Sequence, residues 1–268
     1  MITGNLFPVI AGYLLASGCT IHLTLIWTII GASLVMASGC VFNNCVDRDI
    51  DLLMERTKNR PLATKTLSPQ IAVIFGFILG IVGMCVLYFY TNKLAAHLGA
   101  FGLFAYVILY TILSKRRSVF STHIGSISGA TPPLIGYCAA SGVIDSAGIA
   151  LFFLLAAWQM PHFFAIAIFR EKDFAAASIP TIFSKLGIRK TKISMLRYVI
   201  IFTAINLSFS ILGYTGIVHM INASLIGSYW IHLAISGFKA PDDLRWARKM
   251  FFTSIAAMVL SCITIAIS

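Results

Sequence analysis

The sequence predicts an all-α polytopic membrane protein of about nine spans, on three observations. Hydrophobic residues make up 59% of the chain and charged residues only 11%, against roughly 25% charged in soluble proteins. Apolar runs of roughly 20 residues recur along all 268 positions with short connections between them. Lys and Arg are gathered almost entirely in alternate connections. That leaves no room for a separate soluble domain, so residues 1–268 read as a single intramembrane domain. No short internal repeat and no low-complexity tract interrupts it.

Taken in order, the spans are expected at 5–20, 23–46, 69–90, 94–113, 121–140, 147–169, 196–214, 217–237 and 250–267. The opening MITGN lacks the basic lead of a secretory signal, so the first run is expected to stay as a span. In the fifth, Gly125 and Gly129 precede Pro132-Pro133, a pattern for close helix packing and a kink. Residues 174–195, between the sixth and seventh, mix apolar and basic side chains and are expected to lie along the headgroups. Trp246, among Arg245, Arg248 and Lys249, reads as an interfacial anchor. Six cysteines are scattered without a C-x-x-C pair, which fits buried thiols and neither a disulfide frame nor a zinc site.

Charge orients the bundle. Of twenty Lys and Arg, nineteen fall in connections 2–3, 4–5, 6–7 and 8–9, and only Lys93 lies in the opposite set. The positive-inside rule therefore puts those loops and the N-terminus in the cytoplasm and the C-terminus outside. The net charge of +11 is thus read as topology, with membrane lipid as the surrounding partner and no nucleic acid expected. Topology does not explain why eight of the nine acids share the same face, since Asp and Glu contribute little to orientation.

Those acids point to chemistry. In NNCVDRDIDLLMERTKNRP, Asn43, Asp47 and Asp51 fall at i, i+4 and i+8, so a helix would stack their oxygens in one stripe. Magnesium takes few protein carboxylates and completes its shell with water and phosphate, so a lone stripe suits a diphosphate bridged through Mg²⁺. Arg56, Lys58 and Arg60 follow as cations for that anion, while Asp49 and Glu55 lie off the stripe and read as solvated. Tyr110, Lys115 and Arg116 close the fourth span within reach of the same anion. In the sixth span, Gln159, His162, Arg170 and Asp173 form a polar stripe leading to the cytoplasmic end, with Lys172 beside it and Pro161 loosening the helix. His162 is singled out as a ligand or catalytic group because depth, a proline and a polar stripe coincide there. A polytopic transporter or carrier would also show a basic mouth, but it should place polar groups along both halves of its path, and the outer half is nearly free of charge.

N-x-x-x-D-x-x-x-D at 43–51 with ERTKNRPL at 55–62 resembles the intramembrane aromatic prenyltransferase superfamily. ASGCVFNN-x-x-DRDID, SGA-x-PP-x-IGYCA at 128–139, WQMPH-x-x-AIAIFR at 158–170 and WARK at 246–249 are similar, more narrowly, to its haem-farnesylating branch. The resemblance covers nearly the whole chain, and its combination of motifs is specific. It implies nine transmembrane helices around a central cavity open to the cytoplasmic side, in a bacterial inner membrane. It also implies transfer of a farnesyl group from farnesyl diphosphate to a vinyl group of haem B with addition of water, for use by a terminal oxidase. By position, Asn43, Asp47 and Asp51 would hold Mg²⁺, with Asp173 as a further metal ligand. Arg56, Lys58, Arg60, Lys115, Arg116, Arg170 and Lys172 would take the diphosphate, Tyr110 would stand beside them, and His162 and Gln159 would face the haem. Relatives acting on phenolic acids carry a second D-x-x-x-D near the sixth span, where this chain reads F-R-E-K-D. A quinone-type acceptor is therefore the less favoured alternative, and a second metal pair is in doubt.

Overall fold

The computed structural model describes residues 2–268. Every regular element among them is helical: α1 (Ile2–Ser17), α2 (Leu23–Asp51), α3 (Pro69–Tyr90), α4 (Lys93–Phe104), α5 (Ser121–Gly129), α6 (Thr131–Ser141), α7 (Ser146–Phe169), α8 (Glu171–Ala176), α9 (Ile182–Ile211), α10 (Ile217–Ser236) and α11 (Asp243–Ala266). α4 continues without a break as a π-helix, Ala105–Ser114. Six of these helices are long and apolar enough to cross a membrane: α2, α3, α4 with its π continuation, α7, α9 and α11.

The helices sort into two groups. α2, α3, α4 and α5–α6 pack as one, and α7, α9, α10 and α11 as the other, with α1 wedged against α6, α11 and α2. Lipid is as apolar as leucine, so small residues that allow close approach must hold helices together. α3 shows this plainly. Its buried face is Ala72, Gly76, Gly80 and Gly83, which meet Phe42, Ser38 and Leu34 of α2, while Ile74, Phe77, Ile78 and Ile81 are exposed. Gly136 lets α6 approach α1 so closely that a Cβ there would stand 1.9 Å from the Val9 carbonyl oxygen.

The structure departs from the expected boundaries in two places that matter. α2 runs on to Asp51, five residues past the expected end, so all three stripe residues are helical. The segment 174–195 is not one surface strip: it comprises the end of α8, a turn, and the lower part of α9, which starts at a Thr181/Ser184 capping box. α9 bends at Gly187, whose φ of 77° only glycine adopts without strain. The fifth span breaks at Ala130, where α6 restarts with the proline pair in its first turn.

Trp246 is a further correction. It is 4% exposed, its indole N–H donates to the Leu233 carbonyl at 2.8 Å, and the Lys192 ammonium lies 5.1 Å from its ring centroid. Lys192, itself buried, donates to the Gly237 carbonyl (2.6 Å) and to Asp243 (2.5 Å). The tryptophan thus helps lock α9, α10 and α11 together instead of sitting at an interface. Asp145, the lone acid of the opposite face, caps α7 by accepting from the N–H groups of Ala147 and Gly148.

Candidate active site

The end of α2, the loop 52–68 that folds back beneath it, and the π-helix meet at one place. A π turn admits an extra residue and is a frequent mark of a functional site. Here it sends the Lys115 N–H to the Tyr110 carbonyl (2.8 Å) and the Thr111 hydroxyl to the Tyr106 carbonyl (2.8 Å). Thr111 and Lys115 consequently both face α2. The amide of Asn43 donates to Asp47 (2.8 Å) and to Thr111 Oγ1 (3.2 Å), and Lys115 Nζ donates to the same oxygen of Asp47.

Asp47 is completely buried. Its second oxygen, Oδ1, has no hydrogen-bond donor; Arg116 stands 3.6 Å away. One turn on, Asp51 is 2% exposed and accepts from Arg60 Nη1 on both carboxylate oxygens (3.1 and 2.8 Å), a charge-assisted contact, while Thr57 donates to the Asp51 carbonyl (3.0 Å). Arg116 is occupied by Asp49 (2.7 and 2.6 Å) and the Val46 carbonyl (2.7 Å). Asp49, expected to be free in solvent, does reach solvent but also fixes that guanidinium. Arg116, beyond the end of the π-helix, is pushed up in pKa chiefly by its hydrogen bond to Asp49.

Asn43, Asp47, Asp51, Arg60, Lys115 and Arg116 are thus brought together. Tyr110 lies beside them, stacked on Tyr106 with centroids 5.7 Å apart, its ring 3.0 Å from where a Cβ on Gly125 would stand. Arg56 is exposed, and Lys58 pairs with Glu55 (2.6 Å). Arg170 and Lys172 are exposed, with Arg170 3.7 Å from Asp173. Asp173 accepts from the Glu55 N–H (3.3 Å), so α8 touches the loop after α2 without joining Asp47 and Asp51. Gln159 and His162 diverge. Gln159, 4% exposed, donates to the Leu155 and Ser126 carbonyls toward α5, whereas His162 bonds Ser254 of α11 (2.7 Å) between the rings of Trp158 and Phe251. A shared haem face for this pair is not what the arrangement offers. Thr111 and Thr57 were missed by sequence reasoning, being single threonines with no motif; only the π register and the loop path reveal them.

Among the described residues, no group of three or more His, Cys, Asp or Glu could enclose a metal ion. The donor set still fits Mg²⁺ in another way. A buried carboxylate oxygen without a donor is what a hard cation seeks, and a phosphate-bridged Mg²⁺ needs only one or two protein carboxylates.

The model of the UbiA prenyltransferase family matches residues 5–256. Protoheme IX farnesyltransferases of Citrobacter koseri and of Klebsiella pneumoniae are each 47% identical to this chain over 259 residues, 96% of its length and 88% of theirs. A solved structure of digeranylgeranylglyceryl phosphate synthase is similar with a TM-score of 0.82 at 21% identity, covering 99% of this chain and 94% of that one. A UbiA homologue from Archaeoglobus fulgidus bound to DMAPP and Mg²⁺ is similar with a TM-score of 0.70 at 14% identity, covering 100% and 97%.

Proposed function

We propose, given that the chain belongs to the UbiA prenyltransferase family, that it transfers the farnesyl group of farnesyl diphosphate to a vinyl carbon of protohaem IX. The observation that carries the site is Asp47, fully buried with one oxygen on Lys115 and the other lacking a donor. The relatives at 47% identity support the acceptor.

The C1–O bond of the allylic diphosphate breaks with its electron pair leaving on oxygen, so stabilising that developing charge is the main catalytic task. Mg²⁺, when bound, would supply Lewis-acid stabilisation of that charge. Asp47 and Asp51, with Asn43, would hold the metal; Lys115, Arg60 and Arg116 neutralise the departing diphosphate. The exposed Arg56, Arg170 and Lys172, with the half-buried Lys58, draw the anion to the mouth. The vinyl π pair then bonds to farnesyl C1. Water adds to the cation left beside the porphyrin and loses a proton, giving a hydroxyethylfarnesyl side chain. In this reading the shorter α1, the broken α5–α6 pair and α10 complete nine crossings with the six long helices, and the Lys and Arg bias supports a mouth on the cytoplasmic side of a bacterial inner membrane with the C-terminus outside.

The purified protein with haem B and farnesyl diphosphate should release pyrophosphate only when Mg²⁺ is present and yield a haem heavier by one farnesyl group and one hydroxyl. Asp47→Asn should abolish that product while still inserting in the membrane. Turnover in excess chelator, or an active Asp47→Asn protein, would refute the reading.

A further inference from the structure

The acids expected at the metal are already taken. Asp47 gives one oxygen to the Lys115 ammonium and the Asn43 amide, and Arg116 stands 3.6 Å from the other. Asp51 gives both of its oxygens to Arg60 Nη1. The cations expected at the diphosphate therefore sit on the carboxylates expected at Mg²⁺.

Charge decides what such a cluster admits. Asp47, Asp49 and Asp51 are set against Lys115, Arg116 and Arg60, three acids for three bases, so the cluster is neutral. A bare divalent cation would make it strongly positive, with an ammonium bonded to the same buried carboxylate, and such repulsion is poorly screened where water is excluded. A bare diphosphate would make it strongly negative beside two buried carboxylates. Only the two together, whose charges largely offset each other, keep the cluster near neutrality.

Both bases are placed to change partner. Among the described residues, Asp47 is the sole partner of the Lys115 ammonium, a group able to donate in several directions, and Arg60 engages Asp51 through Nη1 alone. Their backbones are fixed, the Lys115 N–H on the Tyr110 carbonyl (2.8 Å) and the Arg60 N–H on the Thr57 carbonyl (3.0 Å), while the long side chains are only partly buried. The buried Lys192 differs: besides Asp243 it holds the Gly237 carbonyl and lies against Trp246, which makes it a structural tie.

We propose that Lys115 and Arg60 form a charge latch, closing Asp47 and Asp51 to a bare divalent cation and releasing them when a diphosphate takes the two bases, so that metal and diphosphate bind interdependently. The latch rests on the reading of Asp47 and Asp51 as metal ligands and adds to it a condition on when they become available.

The test is calorimetric titration of the purified full-length protein in detergent with Mg²⁺ alone, with inorganic pyrophosphate in chelator, and with both, free concentrations being corrected for the complex the two form in solution. In the parent each should strengthen the other's binding about tenfold or more, since coupling of this kind is reciprocal. Lys115→Met should bind Mg²⁺ alone about tenfold more tightly than the parent, with a rise in its unfolding midpoint, and Arg60→Gln should gain Mg²⁺ affinity through Asp51. Asp47→Asn should bind metal-free pyrophosphate about tenfold more tightly than the parent, because Lys115 is released, and the Asp47→Asn/Lys115→Met protein should lose that gain. The Asp47→Asn comparison reads the latch even where Lys115→Met fails to fold. Mg²⁺ binding by the parent that pyrophosphate does not strengthen, or no gain for pyrophosphate in Asp47→Asn, overturns the latch and leaves the farnesyl-transfer reading intact. A parent that binds neither Mg²⁺ nor pyrophosphate, alone or together, overturns both.

Discussion

Replacing Lys115 with methionine would remove the one cation bonded to a carboxylate that has no access to water. Asp47 is 0% exposed and Lys115 14%, and Asp47 would retain only the Asn43 amide on one oxygen, with nothing bonded to the other. Removing one partner of a buried pair costs about 3–5 kcal/mol, because the remaining charge is left uncompensated. Removing both charges is often close to neutral. The expectation is therefore a strongly destabilised Lys115→Met protein and an Asp47→Asn/Lys115→Met double variant that regains most of the loss. Thermal unfolding of the detergent-solubilised protein, followed by its four tryptophans, provides the assay. Turnover separates the two effects, since both variants should be nearly inactive while only Lys115→Met unfolds early. A Lys115→Met protein within ~1 kcal/mol of the parent, the range for exposed pairs, would refute the claim that this carboxylate is buried and depends on the ammonium.

Arg60→Gln should lower turnover by about 10²–10³, the usual cost of losing one donor to a developing anion, since it removes the cation that meets both oxygens of Asp51; near-parental steady-state rates in Arg60→Gln would count against a role at the diphosphate. Gly129→Ala places a Cβ 2.0 Å from the Gln159 amide oxygen and should cost about 1–3 kcal/mol in an unfolding scan. Gln159→Ala in the same background should relieve it, and failure of that rescue would show that the strain lies elsewhere.

The division of the site between two helix groups explains how the pieces combine. α2 and the π-helix belong to one group, α7 and α8 to the other, and the Asp173 carboxylate on the Glu55 N–H joins them at the mouth.

The membrane class, the helical character and the acid stripe follow from one-dimensional information. Long apolar runs must satisfy their backbone internally, and residues at i, i+4 and i+8 must share a helix face, so Asn43, Asp47 and Asp51 were legible from spacing alone. Which cation meets which acid was not, because that depends on how far α2 continues and where the loop returns. Arg60 folds back to Asp51 while Arg56, four residues earlier, remains in solvent. The extra residue of the π turn turns Thr111 and Lys115 toward α2, and no spacing rule anticipates it. Histidine environment is likewise tertiary: neighbours on other helices occupy the ring of His162 and leave a nitrogen of His123 unpaired, although the sequence had made His162 the more conspicuous of the two.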